Sequence, residues 1–167
     1  MEFKKNSDAA YPLHTGDLLG ALMERNPAVA LLEPSGLTVK EGCVAEMALP
    51  IKEKHTNIYG AVHGGVFASA LDTAMGYACH LKTRANIVTL NITTSFIANC
   101  GKGALINVTG RPVHAGRRIV VAEGEARTQE GELLATAQGT FFVLGEHPAN
   151  GIKAPDAVEQ KHIGAEG

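Results

Sequence analysis

One segment constrains the fold more than any other: Gly64-Gly-Val-Phe-Ala-Ser-Ala-Leu-Asp72-Thr-Ala-Met-Gly-Tyr-Ala-Cys79, an apolar run entered through two glycines and holding one acid. Its length and spacing read as one long helix. After it, residues 88–96 alternate: Val88, Leu90, Ile92 and Phe96 on one face, Thr89, Asn91, Thr93 and Ser95 on the other. That period of two predicts a strand with one buried face. Further strands are expected over 104–114, 117–128 and 133–144, separated by the turns 99–103, 115–116 and 129–131. Before the helix, two strands are expected over 37–39 and 44–49, around Glu41-Gly42.

Strands joined by short turns pair antiparallel. One long helix within such a run gives an α+β layout, with the sheet burying one face on the helix. Residues 1–35 read as a polar arm and a short helix, which Thr15 would cap and Asn26-Pro27 would end. The domain is expected over 36–145. The stretch 146–167, rich in Gly, Ala, Pro and charge, reads as a flexible tail or one that docks on a partner subunit.

The chain has 167 residues and a formal charge of −2, so one domain with a real core is expected and no basic footprint for nucleic acid is visible. The longest apolar run is broken by Ser69, Asp72, Thr73 and His80, too polar to span a bilayer. Met1-Glu-Phe-Lys-Lys-Asn does not read as the start of a signal peptide. Three widely spaced cysteines fit neither a disulfide framework nor a zinc site, and point to a reducing cytoplasm. No metal or cofactor is expected.

The chemistry gathers around the helix start. A helix N-terminus offers unpaired N–H groups, and glycine lets a ligand approach them. Gly64 would thus provide an oxyanion site and Asp72 a base or nucleophile, two parts needed for acyl transfer. Asp72 lies eight residues beyond Gly64, roughly 12 Å along a helix. One chain cannot easily present both to one carbonyl, whereas two chains related by a two-fold axis can. The plain alternatives are a buried structural carboxylate at Asp72, a tight turn at His63-Gly64-Gly65 and a loop cap at Asn57.

The order Asn57-x-x-Gly60-x-x-His63-Gly64-Gly65, with Asp72 nine residues after His63, resembles the signature of hotdog-fold acyl-CoA thioesterases, in particular the phenylacetic-acid-pathway (PaaI-like) type. The resemblance implies a curved antiparallel β-sheet wrapped around one long central α-helix. It also implies an acyl-CoA substrate and self-association as a homodimer or dimer of dimers. In this family Asp72 would be base or nucleophile, and the Gly64 N–H, beside Gly65, would bind the thioester oxygen. Asn57 would orient the attacking group from the other subunit, His63 would support the loop, and Thr89 would help to position water.

The phosphates of coenzyme A call for cations, and Gly116-Arg117-Arg118 offers them, ahead of Lys102, Arg111 and His114. Tyr59, Phe67, Tyr77 and Phe96 are candidates for an aromatic acyl pocket or for core. Cys79 reads as core. Two rivals remain: a hotdog protein that binds acyl-CoA without turnover and needs no Asp72, and a hydratase or dehydratase on the same fold.

Overall fold

The computed structural model describes residue 23 and residues 26–146. The polar arm, most of the helix expected after Thr15, and the tail beyond 146 lie outside the described residues. Met23 is helical and Asn26 is not, in line with the helix stop that the sequence pattern predicts at Asn26-Pro27, and the same pair also starts a second helix, α1 Pro27–Leu32. The Asn26 side chain accepts from the Val29 N–H at 3.3 Å. Pro27 takes a first-turn position that needs no N–H.

Six strands follow the predicted order: β1 Gly36–Lys40, β2 Val44–Pro50, β3 Ala85–Phe96, β4 Leu105–Ala115, β5 Ile119–Thr128 and β6 Leu133–Glu146. They form one sheet in the order β1-β2-β4-β5-β6-β3, antiparallel throughout. The β1–β2 connection turns through Gly42 at φ 78°, a left-handed conformation that glycine adopts without a Cβ penalty. The sheet curves around one long helix, α2 Gly64–Thr83. This is the hotdog architecture.

Helix α2 buries Phe67, Ala70, Leu71, Ala74, Met75, Ala78 and Cys79, a stripe at spacings of three and four. It stops at Arg84, whose left-handed φ of 53° turns its N–H onto the His80 carbonyl. Opposite the stripe lie Leu37, Met47, Leu49, Ile106, Val108, Val120, Leu134 and Phe141. The helix sits very close to the sheet at Gly110 of β4. A Cβ there would lie 2.4 Å from the Ala74 carbonyl carbon and the Met75 nitrogen. Contact with backbone leaves nothing to rotate away, so this glycine fixes the depth of the helix and hence of Asp72 two residues earlier. No helix among the described residues is long and apolar enough to cross a membrane.

Strand β3 departs from the simple alternation. Thr89 pairs with Phe141 and Asn91 with Thr140, which leaves Leu90 as the extra residue of a β-bulge. The bulge flips the parity of the strand. Ile92, Thr94 and Phe96 lie opposite the inward positions Gly139, Ala137 and Ala135, but before the bulge it is Thr89 that faces inward. Val88 and Leu90 are instead 43% and 57% exposed. They lie on a strand that has a sheet neighbour on one side only.

Candidate active site

The carboxylate and the helix entrance occupy different stretches of α2. Asp72 is partly exposed, and its Oδ1 accepts a hydrogen bond from the Thr89 hydroxyl at 2.9 Å. This contact depends on the bulge, which turns Thr89 toward the helix. The other carboxylate oxygen has no partner among the described residues, which leaves it open to a substrate or water.

At the other end, His63 caps α2. Its Nδ1 accepts from the Gly65 N–H at 3.1 Å, so in the neutral ring the proton sits on Nε2. The Val66 N–H donates to the His63 carbonyl at 2.8 Å. Of the first three amides of the helix, that of Gly64 therefore lacks an acceptor among the described residues. It points out at the positive end of the helix dipole. A Cβ on Gly64 would lie 3.1 Å from Cζ of Phe96, so the ring packs directly over this residue.

Asn57 holds the preceding loop. Its Oδ1 accepts from the N–H groups of Tyr59 at 2.9 Å and Ala61 at 3.3 Å, and its carbonyl accepts from Gly60. The turn displays Ile58 and Tyr59, which are 91% and 85% exposed. The aromatic candidates separate. Phe67 is core at 1% exposure, while Phe96 is 57% exposed and lies 6.4 Å from it between ring centroids. Tyr77 is partly buried, and burial pushes its hydroxyl up to about 12. Burial likewise pushes the Cys79 thiol up to about 12, which keeps it a thiol at neutral pH.

Gly116-Arg117-Arg118 forms the β4–β5 turn, closed by the Gly116 N–H on the Ile119 carbonyl at 2.9 Å. Arg117 and Arg118 are exposed, and neither has an ion-pair partner among the described residues. Of the weaker candidates, Arg111 is committed to Glu123, and Lys102 to Glu53 at 2.9 Å, while His114 is exposed on β4. The turn leads to Ile119, which pairs with Phe142, which pairs in turn with Val88. The two arginines therefore belong to the Thr89–Asp72 end of the sheet.

Sequence reasoning missed His55. It is 3% exposed, and its Nε2 is the one buried side-chain polar atom without a hydrogen bond among the described residues. Its Nδ1 accepts from the Lys52 N–H at 3.1 Å, and its carbonyl accepts from the His63 N–H at 2.9 Å. A histidine in a polar stretch gives no sign of such burial. Its pKa is lowered from 6.5, first by burial and then by the charge of Lys54, against the opposing pull of the Leu31 carbonyl and Glu33.

Comparison with known proteins decides the family. The sequence model of the Thioesterase superfamily matches residues 59–135, the stretch that carries Gly64, Asp72 and Thr89. A Pseudomonas aeruginosa protein whose name proposes an esterase is 31% identical over 125 residues, covering 73% of this chain and 92% of that one. The chain belongs to the thioesterase superfamily. Among solved structures it is similar to a mutant of the phenylacetic acid degradation protein PaaI from Thermus thermophilus. That match is 25% identical with a TM-score of 0.65, over 71% of this chain and 100% of that one. A Streptococcus mutans protein solved bound to acetyl-CoA is 26% identical with a TM-score of 0.63, over 67% of this chain and 90% of that one.

Proposed function

We propose that this thioesterase hydrolyses acyl-CoA to the free acid and coenzyme A, in two composite sites at the interface of a homodimer. The observation that carries the reading is the Asp72 carboxylate, held at 2.9 Å by Thr89 with one oxygen unpartnered. It sits eight residues, or roughly 12 Å, from the unpaired Gly64 N–H. A base must reach the group that it activates, and an oxyanion donor must touch the same carbonyl. Asp72 of one chain and Gly64 of the other meet both demands.

In the site, Asp72 acts as general base or as nucleophile. As a base it takes a proton from water while the water oxygen bonds to the thioester carbon. The carbonyl oxygen gathers negative charge against the Gly64 N–H, the C–S bond breaks, and the thiolate leaves and takes up a proton. The Asn57 carboxamide, already fixed through its Oδ1, would orient the attacking group from the partner side. Arg117 and Arg118 would meet the phosphates of coenzyme A. The relative solved with acetyl-CoA supports this choice of substrate.

The dimer joins the free edges of two β3 strands, which removes an exposed edge from each sheet. Asp72 sits beside Thr89, and Gly64 sits beside Phe96. Bringing Asp72 to the partner's Gly64 therefore brings Thr89 opposite the partner's Phe96. Both face inward, and the Leu90 bulge supplies the extra residue. Between the bulges the register then pairs Thr93 with the partner's Thr93, and Ile92 with the partner's Thr94.

Asp72→Asn tests the assignment. It should leave the dimer and its melting temperature in place while kcat falls at least about 10²-fold, the scale of a lost general base. Hydrolysis at the parental rate would remove Asp72 from the mechanism, and loss of folding would make it a structural carboxylate.

A further inference from the structure

The free Gly64 N–H is useful only if it is aimed, and a residue far along the chain holds its aim. Residues 61–63 run extended into α2. Ala61 bridges to Gly101, and Val62 bridges to Thr56. The Asn99 side chain continues this small ladder with a carboxamide where a peptide group would otherwise stand. Its Oδ1 accepts from the Val62 N–H at 2.9 Å, and its Nδ2 donates to the Val62 carbonyl at 3.1 Å. The same Oδ1 also accepts from the Cys100 N–H at 2.8 Å, which keeps the amide from rotating.

Peptide planes make the consequence plain. The Val62–His63 plane is held at both ends, its carbonyl by Asn99 and its N–H by the His55 carbonyl at 2.9 Å. The plane before it is held through the Val62 N–H, shared between Asn99 Oδ1 and the Cys100 carbonyl at 2.9 Å each. The next plane carries the Gly64 N–H. Only the two backbone torsions of His63 separate it from the fixed one, and the His63 ring pins those from the far side through Gly65.

We infer that Asn99 is a positioning residue for thioester hydrolysis, setting the direction of the Gly64 N–H through the Val62–His63 peptide. The inference rests on the reading of Gly64 as the oxyanion site. Misplacing a catalytic group by an ångström costs on the order of 10²-fold in rate, so a partly released loop should cost somewhat less.

The test compares parent, Asn99→Ala and Asn99→Asp on an acyl-CoA thioester and on the matching dithioester, in which sulfur replaces the carbonyl oxygen. Asn99→Asp retains the acceptor for the Val62 and Cys100 N–H groups and puts a carboxylate oxygen, which repels the Val62 carbonyl, where the donor stood. A well-aimed N–H favours oxygen over sulfur, so the parent should prefer the thioester. In Asn99→Ala kcat should fall about 10-fold or more with KM changed less than about threefold. The oxygen-over-sulfur preference should shrink, and amide exchange at Val62 and His63 should quicken while β4 and β5 stay protected. Asn99→Asp should shift in the same direction.

Parental kcat in either soluble variant overturns the inference. So does an equal loss on both substrates, which marks a merely structural role. If Asn99→Ala does not fold, Asn99→Asp decides by the same two criteria. A parent that shows no preference for oxygen refutes the Gly64 reading, and the role of Asn99 falls with it. A parent with the preference and an unaffected Asn99→Ala refutes only the latter.

Discussion

Gly64→Pro mixed with Asp72→Asn gives the most direct test of a shared site. Gly64 is the first residue of α2, where proline is tolerated because no intrahelical N–H is lost. His63 before it has φ −66° and ψ 134°, the extended conformation that a following proline requires. The substitution therefore deletes the N–H and leaves the helix. The steric cost falls on the Phe96 ring, whose Cζ lies 3.1 Å from the new Cβ and must yield by a few tenths of an ångström. That ring is 57% exposed and free to move. Loss of one oxyanion donor should reduce kcat by about 10²- to 10³-fold, and Asp72→Asn should be comparably poor. In a heterodimer of the two, one site draws a good Gly64 from one chain and a good Asp72 from the other, while the second site has neither. Random exchange makes half of the dimers mixed, each with one of two sites, so roughly a quarter of parental activity should return. The assay is thioester hydrolysis with a free-thiol readout after subunit exchange, with exchange verified by native mass spectrometry. If mixed dimers form and activity stays at the level of the two variants, the composite site is refuted.

The other expectations draw on separate parts of the structure. Arg117→Ala and Arg118→Ala should raise KM for coenzyme A esters more than for pantetheine thioesters, and equal effects would argue against phosphate contact. Thr93→Cys should cross-link the dimer under mild oxidation, because the proposed register pairs that residue with itself; Asn91→Cys should not, and the reverse pattern would disprove the register. His55 should make the fold acid-sensitive. Its pKa in the folded protein lies below the ordinary 6.5, so its stabilisation is full above that value and declines as pH falls from there to the depressed folded value. The slope is at most about 1.4 kcal/mol per pH unit. Melting curves from pH 7.5 down to 5 should therefore fall more steeply for the parent than for His55→Gln, and parallel curves would show that His55 is not buried neutral.

Much of this was legible because it is local. The α2 stripe, the turn at Gly42 and the strand boundaries follow from periodicity and turn chemistry, and the structure reproduces them within a few residues. Asn26-Pro27 was legible as a helix stop but not as the start of α1, because an N-cap followed by proline can begin a helix as readily as the same pair can close one. The strand alternation misled at Leu90. A bulge leaves no mark in the pattern of residue types here, so Val88 and Leu90 read as a buried face although they lie exposed beside the free edge.

The candidate site divides along the same line. Its chemical groups, an acid in a helix and an amide at the helix start, can be read from a run of nine residues, because helix geometry alone fixes their roughly 12 Å separation. What aims those groups cannot. Thr89 reaches Asp72 only because the bulge turns it inward. Val62 is held by Asn99, 37 residues away. The His63 amide is held by the carbonyl of His55, a buried residue eight positions back, rather than by its immediate neighbours in sequence. A motif thus names the reacting groups, but their alignment is a tertiary property. Substitutions at Asn99 and at the bulge should therefore change rate while leaving the motif intact.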